Sequence, residues 1–272
     1  MTLPAGLGVY LRDRYVMPPD GVRWGHCLVN ARRADRLDLA AQARAGGAQV
    51  WMYTTPEGWQ PSSWRAELER VQRAAADARA DGIMANPESG WTGGAVQREG
   101  TALGQALAAA SLERGVALTS YPAWAGLAST AAASGSAVSG QVQIYGRSAM
   151  DAETFARWYA SWVAAWGEPR TGLAVAGWPS VPALEQRAGF ARYLSMLPRP
   201  LSRSVSAWTA AGSSPAPWRL SELAAWYATG PGPATPLPGA PGAPGAPGAR
   251  PGGGMGVLAL LALLAVLLGS RR

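Results

Sequence analysis

The chain has 272 residues, of which 48% are hydrophobic and only 15% charged, enough apolar material for one large domain with a full core. Its net charge of +7 comes from arginine alone. Arg250, Arg271 and Arg272 lie in an acid-free tail, and the densest cluster, Arg32, Arg33 and Arg36, is interrupted by Asp35 and Asp38. That pattern reads as a solvated helix face, which argues against nucleic-acid binding, and a single Cys excludes an internal disulfide framework or a cysteine-ligated metal cluster.

In chain order, short apolar runs with strand character fall at 7–11, 24–30, 49–54, 82–86, 116–121, 141–145, 172–178 and 204–208. Amphipathic helical patterns lie between most of them, at 34–45, 62–80, 96–114, 151–166, 181–196 and 220–227. Alternating strand and helix implies a parallel sheet. Eight such strands within 1–229 predict an α/β chain folded as a (β/α)8 barrel. No G-x-G-x-x-G turn follows the first strand and no P-loop pattern occurs, which disfavours a doubly wound nucleotide-binding sheet. Between Leu11 and Trp24 there is only a Pro18-Pro19-Asp20-Gly21 loop, so the first crossover is expected to lack a helix.

Barrels of this kind carry their sites at the C-terminal ends of the strands. The fourth strand ends in Asn86-Pro87-Glu88; if the run stays extended, Asn86 and Glu88 share one face. A carboxylic acid beside an amide suits glycoside cleavage, the acid protonating the leaving oxygen and the amide orienting a hydroxyl or N-acetyl group. A lone carboxylate at a barrel rim serves as readily to cap a loop or pair with an arginine. Candidates for a second carboxylate are Glu57, then Asp13, then Asp151, each equally readable as a solvated loop residue.

The 13 Trp and 8 Tyr against 2 Phe are an odd aromatic set for core filling alone. Tyr53, Tyr121, Tyr145, Trp178 and Trp208 stand at strand exits, with Trp91 just past the fourth strand, and Gln143 alternates with apolar neighbours beside Tyr145. Flat rings stack on sugar C–H faces and amides bond hydroxyls, so these residues and Asn86 are the expected substrate contacts. Trp64, Trp158, Trp162 and Trp166 fall in helices and read as core.

The segment Asp81-Gly82-Ile83-Met84-Ala85-Asn86-Pro87-Glu88 resembles the strand-four D-x-E segment of family 25 glycoside hydrolases, lysozyme-type muramidases on a (β/α) barrel found in phages and bacteria. The resemblance implies Glu88 as general acid. It departs at Asn86, where that family has an Asp, and at Gly8-Val9-Tyr10, where it has an acidic residue. The implied activity is hydrolysis of a glycan, with peptidoglycan preferred; the alternative is an inactive carbohydrate-binding or structural barrel.

His26 is the only histidine, so no two-histidine metal site exists, and neither a metal nor a cofactor is expected. His26 and Cys27 point to opposite faces of one strand, which places them in the barrel wall and core rather than in a catalytic pair. Residues 230–254 form a Pro/Gly spacer with Gly-Ala-Pro repeats, followed by an apolar stretch at 255–269 and a basic terminus at 270–272. That stretch is expected to associate with a membrane as a short helix. The terminal arginine pair would keep the barrel on the extracytoplasmic side; no signal peptide is visible at the N-terminus, and the alternative is a tail-anchored barrel facing the cytoplasm.

Overall fold

The structure is a computed structural model, and it describes residues 3–88, 90–93, 95–145, 151–177, 184–198, 204–209 and 217–229. The chain separates into two units, Met1–Pro238 and Gly239–Arg272. All described residues belong to the first. Trp178 and the expected spacer and apolar helix lie outside the described residues, and no helix within them is long and apolar enough to cross a membrane.

Eight parallel strands close into a barrel in sequence order: β1 (Gly6–Leu11), β2 (His26–Asn30), β3 (Gln49–Tyr53), β4 (Gly82–Ala85), β5 (Gly115–Ser120), β6 (Val138–Ile144), β7 (Thr171–Ala176) and β8 (Ser204–Trp208). Pairing of β8 with β1, Val205 opposite Leu7, completes the ring. Helices follow all but one strand: α1 (Arg36–Ala45), α2 (Trp64–Asp77), α3 (Ala95–Ser111), α4 (Leu127–Ser134), α5 (Ala152–Trp166), α6 (Arg187–Met196) and α7 (Pro217–Ala228). The exception is the β1–β2 connection, a loop as expected, pinned where the Trp24 indole donates to the Val16 carbonyl at 2.7 Å.

Strand alternation divides the core in two. Outward residues such as Val9, Cys27, Val29, Ile83, Val142 and Val205 pack under the helices, while Tyr10, Leu28, Trp51, Tyr53, Met84, Ala117 and Ala174 fill the barrel interior. Interior Trp51, 1% exposed, takes the space that Gly82 leaves, since a Cβ there would lie 2.6 Å from its ring. Trp162 and Trp166 on α5 stack with centroids 6.4 Å apart and cover Gly140 of β6, whose missing side chain admits them. These helical tryptophans are core, and so is Trp64, as the sequence pattern indicates.

The floor of the interior is polar. His26 is fully buried with Nε2 2.7 Å from the Ser206 hydroxyl, and Gln141 Nε2 donates to both Ser204 and Ser206. Burial pushes the imidazole pKa down to about 3, so the ring is neutral. Cys27 points the other way, its thiol pushed up to about 12 by burial. Both are wall residues.

Element α4 has no counterpart among the sequence-predicted helices. Its sequence, LASTAAAS, carries no charge and no amphipathic stripe. Tertiary packing makes it a helix: Gly100 and Gly104 of α3 let the backbones approach, a Cβ on Gly104 would lie 2.4 Å from the Thr130 carbonyl, and Thr130 donates to the Gly100 carbonyl at 2.8 Å. Strand β6 also starts earlier than its polar-apolar pattern suggests, at Val138.

Candidate active site

The inward positions at the C-terminal rim belong to Tyr10 and Arg12 of the β1 strand and its extension, Tyr53, Met84, Asn86, Thr119, Gln143, Tyr145 and Trp208. Three ties outside the cavity hold this rim. The Thr209 hydroxyl donates to the Tyr10 carbonyl at 2.5 Å, the Ser120 hydroxyl to the Pro87 carbonyl, and the Tyr193 hydroxyl bridges the Ile144 carbonyl and the Ala176 amide. Strand ends that carry the candidate residues are therefore fixed to their neighbours rather than fraying into loops.

Asn86 and Glu88 do face one side. Gln143 Nε2 donates to Asn86 Oδ1 at 2.9 Å and to Glu88 Oε1 at 2.8 Å, which uses both of its N–H groups. The Gln143 carbonyl oxygen is buried and accepts no hydrogen bond among the described residues. Gln143 was expected to touch substrate directly; the structure gives it the further task of setting the separation and tilt of the amide and the acid. Asn86 is 1% exposed and Glu88 half-buried.

Around this pair stand four aromatic side chains. Tyr10 meets Tyr53 edge-on at 5.0 Å and Trp208 at 5.0 Å, and Trp208 is tilted by 33° against Tyr145 at 6.0 Å. The Tyr10 hydroxyl donates to Met84 Sδ at 3.1 Å. Burial raises the Tyr10 phenol pKa well above its usual value; the Thr119 hydroxyl opposes part of this, and Tyr53 and Glu88 add to it. Tyr145 is raised as well, by burial first and then by its neighbours Tyr10 and Glu88, with Tyr121 also contributing. These phenols remain protonated at the wall facing Glu88.

Of the expected site residues, the structure thus brings together Glu88, Asn86, Gln143, Tyr53, Tyr145 and Trp208, with Tyr121 beside Tyr145. Trp91 is a correction. It is 2% exposed, its indole donates to the Trp59 carbonyl at 2.6 Å, and its ring packs edge-on against Trp124, so it belongs to the wall outside the barrel. Asp151 is also reassigned: its carboxylate caps α5 by accepting from the Thr154 amide at 2.6 Å, which holds its pKa low.

Asp13 is half-buried and pairs with Arg33 at 3.5 Å. Glu57 sits exposed on a single 3-10 turn, Pro56–Gly58. Its carboxyl lies below the usual range because the Thr55 hydroxyl and its own backbone amide bond it, with Arg32 and Arg12 adding positive charge. Asp13 is thus answered by an arginine, and Glu57 by Thr55 and its own backbone. Sequence reading passed over Tyr10, Arg12, Met84 and Thr119. The period-two alternation Gly8, Tyr10, Arg12 was available as a signal, but β1 is apolar on both faces and hides it.

No group of His, Cys, Asp and Glu among the described residues could hold a metal ion. The Arg32/Arg36 cluster lines an open groove of about 590 Å³ with Arg70, Arg73 and Asp77. Its arginines are answered by Glu67, Asp77 and Glu69, as a solvated charged face would be.

The chain is similar in structure to a GH18 chitinase from Pseudoalteromonas aurantia. The match has a TM-score of 0.57 and 11% identity and covers 82% of this chain and 100% of that one. At that identity the similarity concerns the (β/α)8 fold. No family model matches the sequence, and no curated protein matches it either. The likeness to family 25 accordingly rests on the strand-four motif alone.

Proposed function

We propose that the barrel mouth hydrolyses a glycan, with Glu88 delivering a proton to the leaving oxygen and Asn86 orienting the sugar's hydroxyl or N-acetyl group beside it. The observation that carries this reading is the double hydrogen bond from Gln143 to Asn86 and Glu88, which presents an acid and an amide as one unit under an aromatic wall. Preorganising a general acid in this way is worth about 10²–10⁴ in rate. Asp13 or Glu57 would serve as the second carboxylate if substrate draws Asp13 from Arg33 or Glu57 from Thr55. Where none arrives, an N-acetyl oxygen of the substrate itself can take that place, and Asn86 is positioned to hold it.

The structural neighbour is named a chitinase, and peptidoglycan, like chitin, is a polymer of N-acetylated sugars. An N-acetylhexosamine polymer of the cell wall is the substrate class we favour. A 230–254 spacer and a membrane-associated 255–269 segment would hold the barrel against such a wall from the extracytoplasmic side. A second reading, glycan binding without turnover, is favoured by the amide at Asn86, where the family 25 motif has an acid.

Release of reducing ends from peptidoglycan and from N-acetylglucosamine oligomers by the wild type and by Glu88→Gln tests the proposal. Hydrolysis by the wild type should fall at least a hundredfold in the variant, with binding retained. Binding without turnover by the wild type would establish the second reading, and neither binding nor turnover on any glycan would refute both.

A further inference from the structure

Arg12 continues the inward face of β1 and lays its guanidinium over the Trp208 ring, Cζ 5.6 Å from the centroid. Unlike Arg32, Arg33 and Arg36, each ion-paired to a carboxylate, it makes no ion pair or hydrogen bond among the described residues, and those residues include every Asp and Glu side chain in the sequence. Glu57 is near enough for Arg12 to lower its pKa, but its carboxylate is held by Thr55 and its own backbone. Asp13 pairs with Arg33, and Arg33 is in turn clamped by both oxygens of Asp35 at 2.6 and 2.7 Å. A second donor stands alongside. Tyr53 is 0% exposed, its ring lies 6.3 Å from Trp208, and its hydroxyl has no hydrogen-bond partner among the described residues. The two are electrostatic neighbours, with Arg12 the largest charge acting on the Tyr53 phenol.

A guanidinium in no ion pair and a buried hydroxyl in no hydrogen bond among the described residues, side by side at the barrel mouth, make a matched donor set for a planar anion. We propose that Arg12 and Tyr53 form a carboxylate-reading subsite beside Trp208, so that the glycan accepted here carries a carboxylate on the sugar, as a uronate or as a carboxyalkyl ether. This rests on the glycan reading of the mouth. Arg12 also has a second effect on selectivity. Its guanidinium occupies the ring face on which a sugar would stack, so a neutral glycan must displace it and lose the cation–π contact. An acidic glycan draws the same group aside into a charge-assisted pair. One residue then favours the acidic ligand and excludes the neutral one.

Dissociation constants of the full chain for two acidic probes and their neutral controls test this: a hyaluronan oligosaccharide for the uronate, the N-acetylglucosaminyl–N-acetylmuramic acid disaccharide for the ether, and the carboxyl-reduced form of each. The acidic form should bind at least tenfold tighter than its reduced counterpart, with the advantage shrinking as salt rises. Whichever acidic probe shows the larger ratio identifies the source of the carboxylate. In Arg12→Met the ratio should fall to near one, through weaker binding of the acid and equal or tighter binding of the neutral form. A merely structural role would weaken both alike. Tyr53→Phe should lose part of the ratio, and Arg12→Lys should keep part of it. Equal affinity for acidic and reduced probes in the wild type would overturn the subsite while leaving the glycan reading intact; failure to bind any glycan would overturn both.

Discussion

His26, the single histidine of the chain, is enclosed at the barrel floor, where among the described residues only the Ser206 hydroxyl bonds it. Its pKa of about 3 in the folded protein compares with about 6.5 for the unfolded chain. Folding therefore prefers the neutral ring. The stability this represents is complete above about pH 6.5 and is lost as the pH falls, because the unfolded chain takes up a proton that the folded one refuses. Each pH unit in that window costs about 1.4 kcal/mol, so acidification to pH 4.5 removes roughly 2.7 kcal/mol, a large share of a typical domain's 5–15. Paired carboxylates such as Asp35 and Glu99 also weaken in acid, but they are common to the wild type and to His26→Gln. Chemical denaturation of the two proteins between pH 7 and 4 should give curves that diverge by the His26 contribution alone, with the wild type falling more steeply. The lone imidazole resonance in the folded protein should stay in its neutral position throughout. A native-state titration near pH 6.5, or parallel stability curves, would refute the assignment of a buried, neutral imidazole.

Gly8 lies directly beneath that ring, and a Cβ there would fall 2.1 Å from His26 Nε2. Gly8→Ala should destabilise by at least 1–3 kcal/mol through overpacking, read as a lowered thermal midpoint. Replacing Gln143 by Leu removes both hydrogen bonds to the site and leaves two acceptors facing the cavity. It should lower stability by about 1–3 kcal/mol per buried group and reduce glycan turnover at least tenfold, whereas loss of stability with unchanged turnover would show that Gln143 does not position the acid.

How much of this was legible in the sequence follows from where each signal is written. The strand positions repeat as local apolar runs and the long helices as local amphipathic ones, so eight strands, their parallel order and the helix-free first crossover could be read directly. Glu88 and Asn86 were legible for the same reason: two residues apart at a strand exit, they must share a face. Helix α4 was not, because its Ala, Ser and Thr residues carry no pattern and become helical only against two glycines of α3 about thirty residues away. Trp91 misled for a related reason. Position after a strand does not say whether an indole turns into the barrel or behind it, and the Trp59 carbonyl decides that.

Sequence alone therefore determined the barrel, the acid–amide pair and the excess of tryptophan over phenylalanine that marks both wall and mouth. Tertiary structure decided what holds the pair and what stands opposite it. Gln143 meets Glu88 across 55 residues, and Arg12 meets Trp208 only because closure of the ring sets β8 beside β1. Local periodicity fixes the direction in which a side chain points. Only the closed sheet fixes what it finds there.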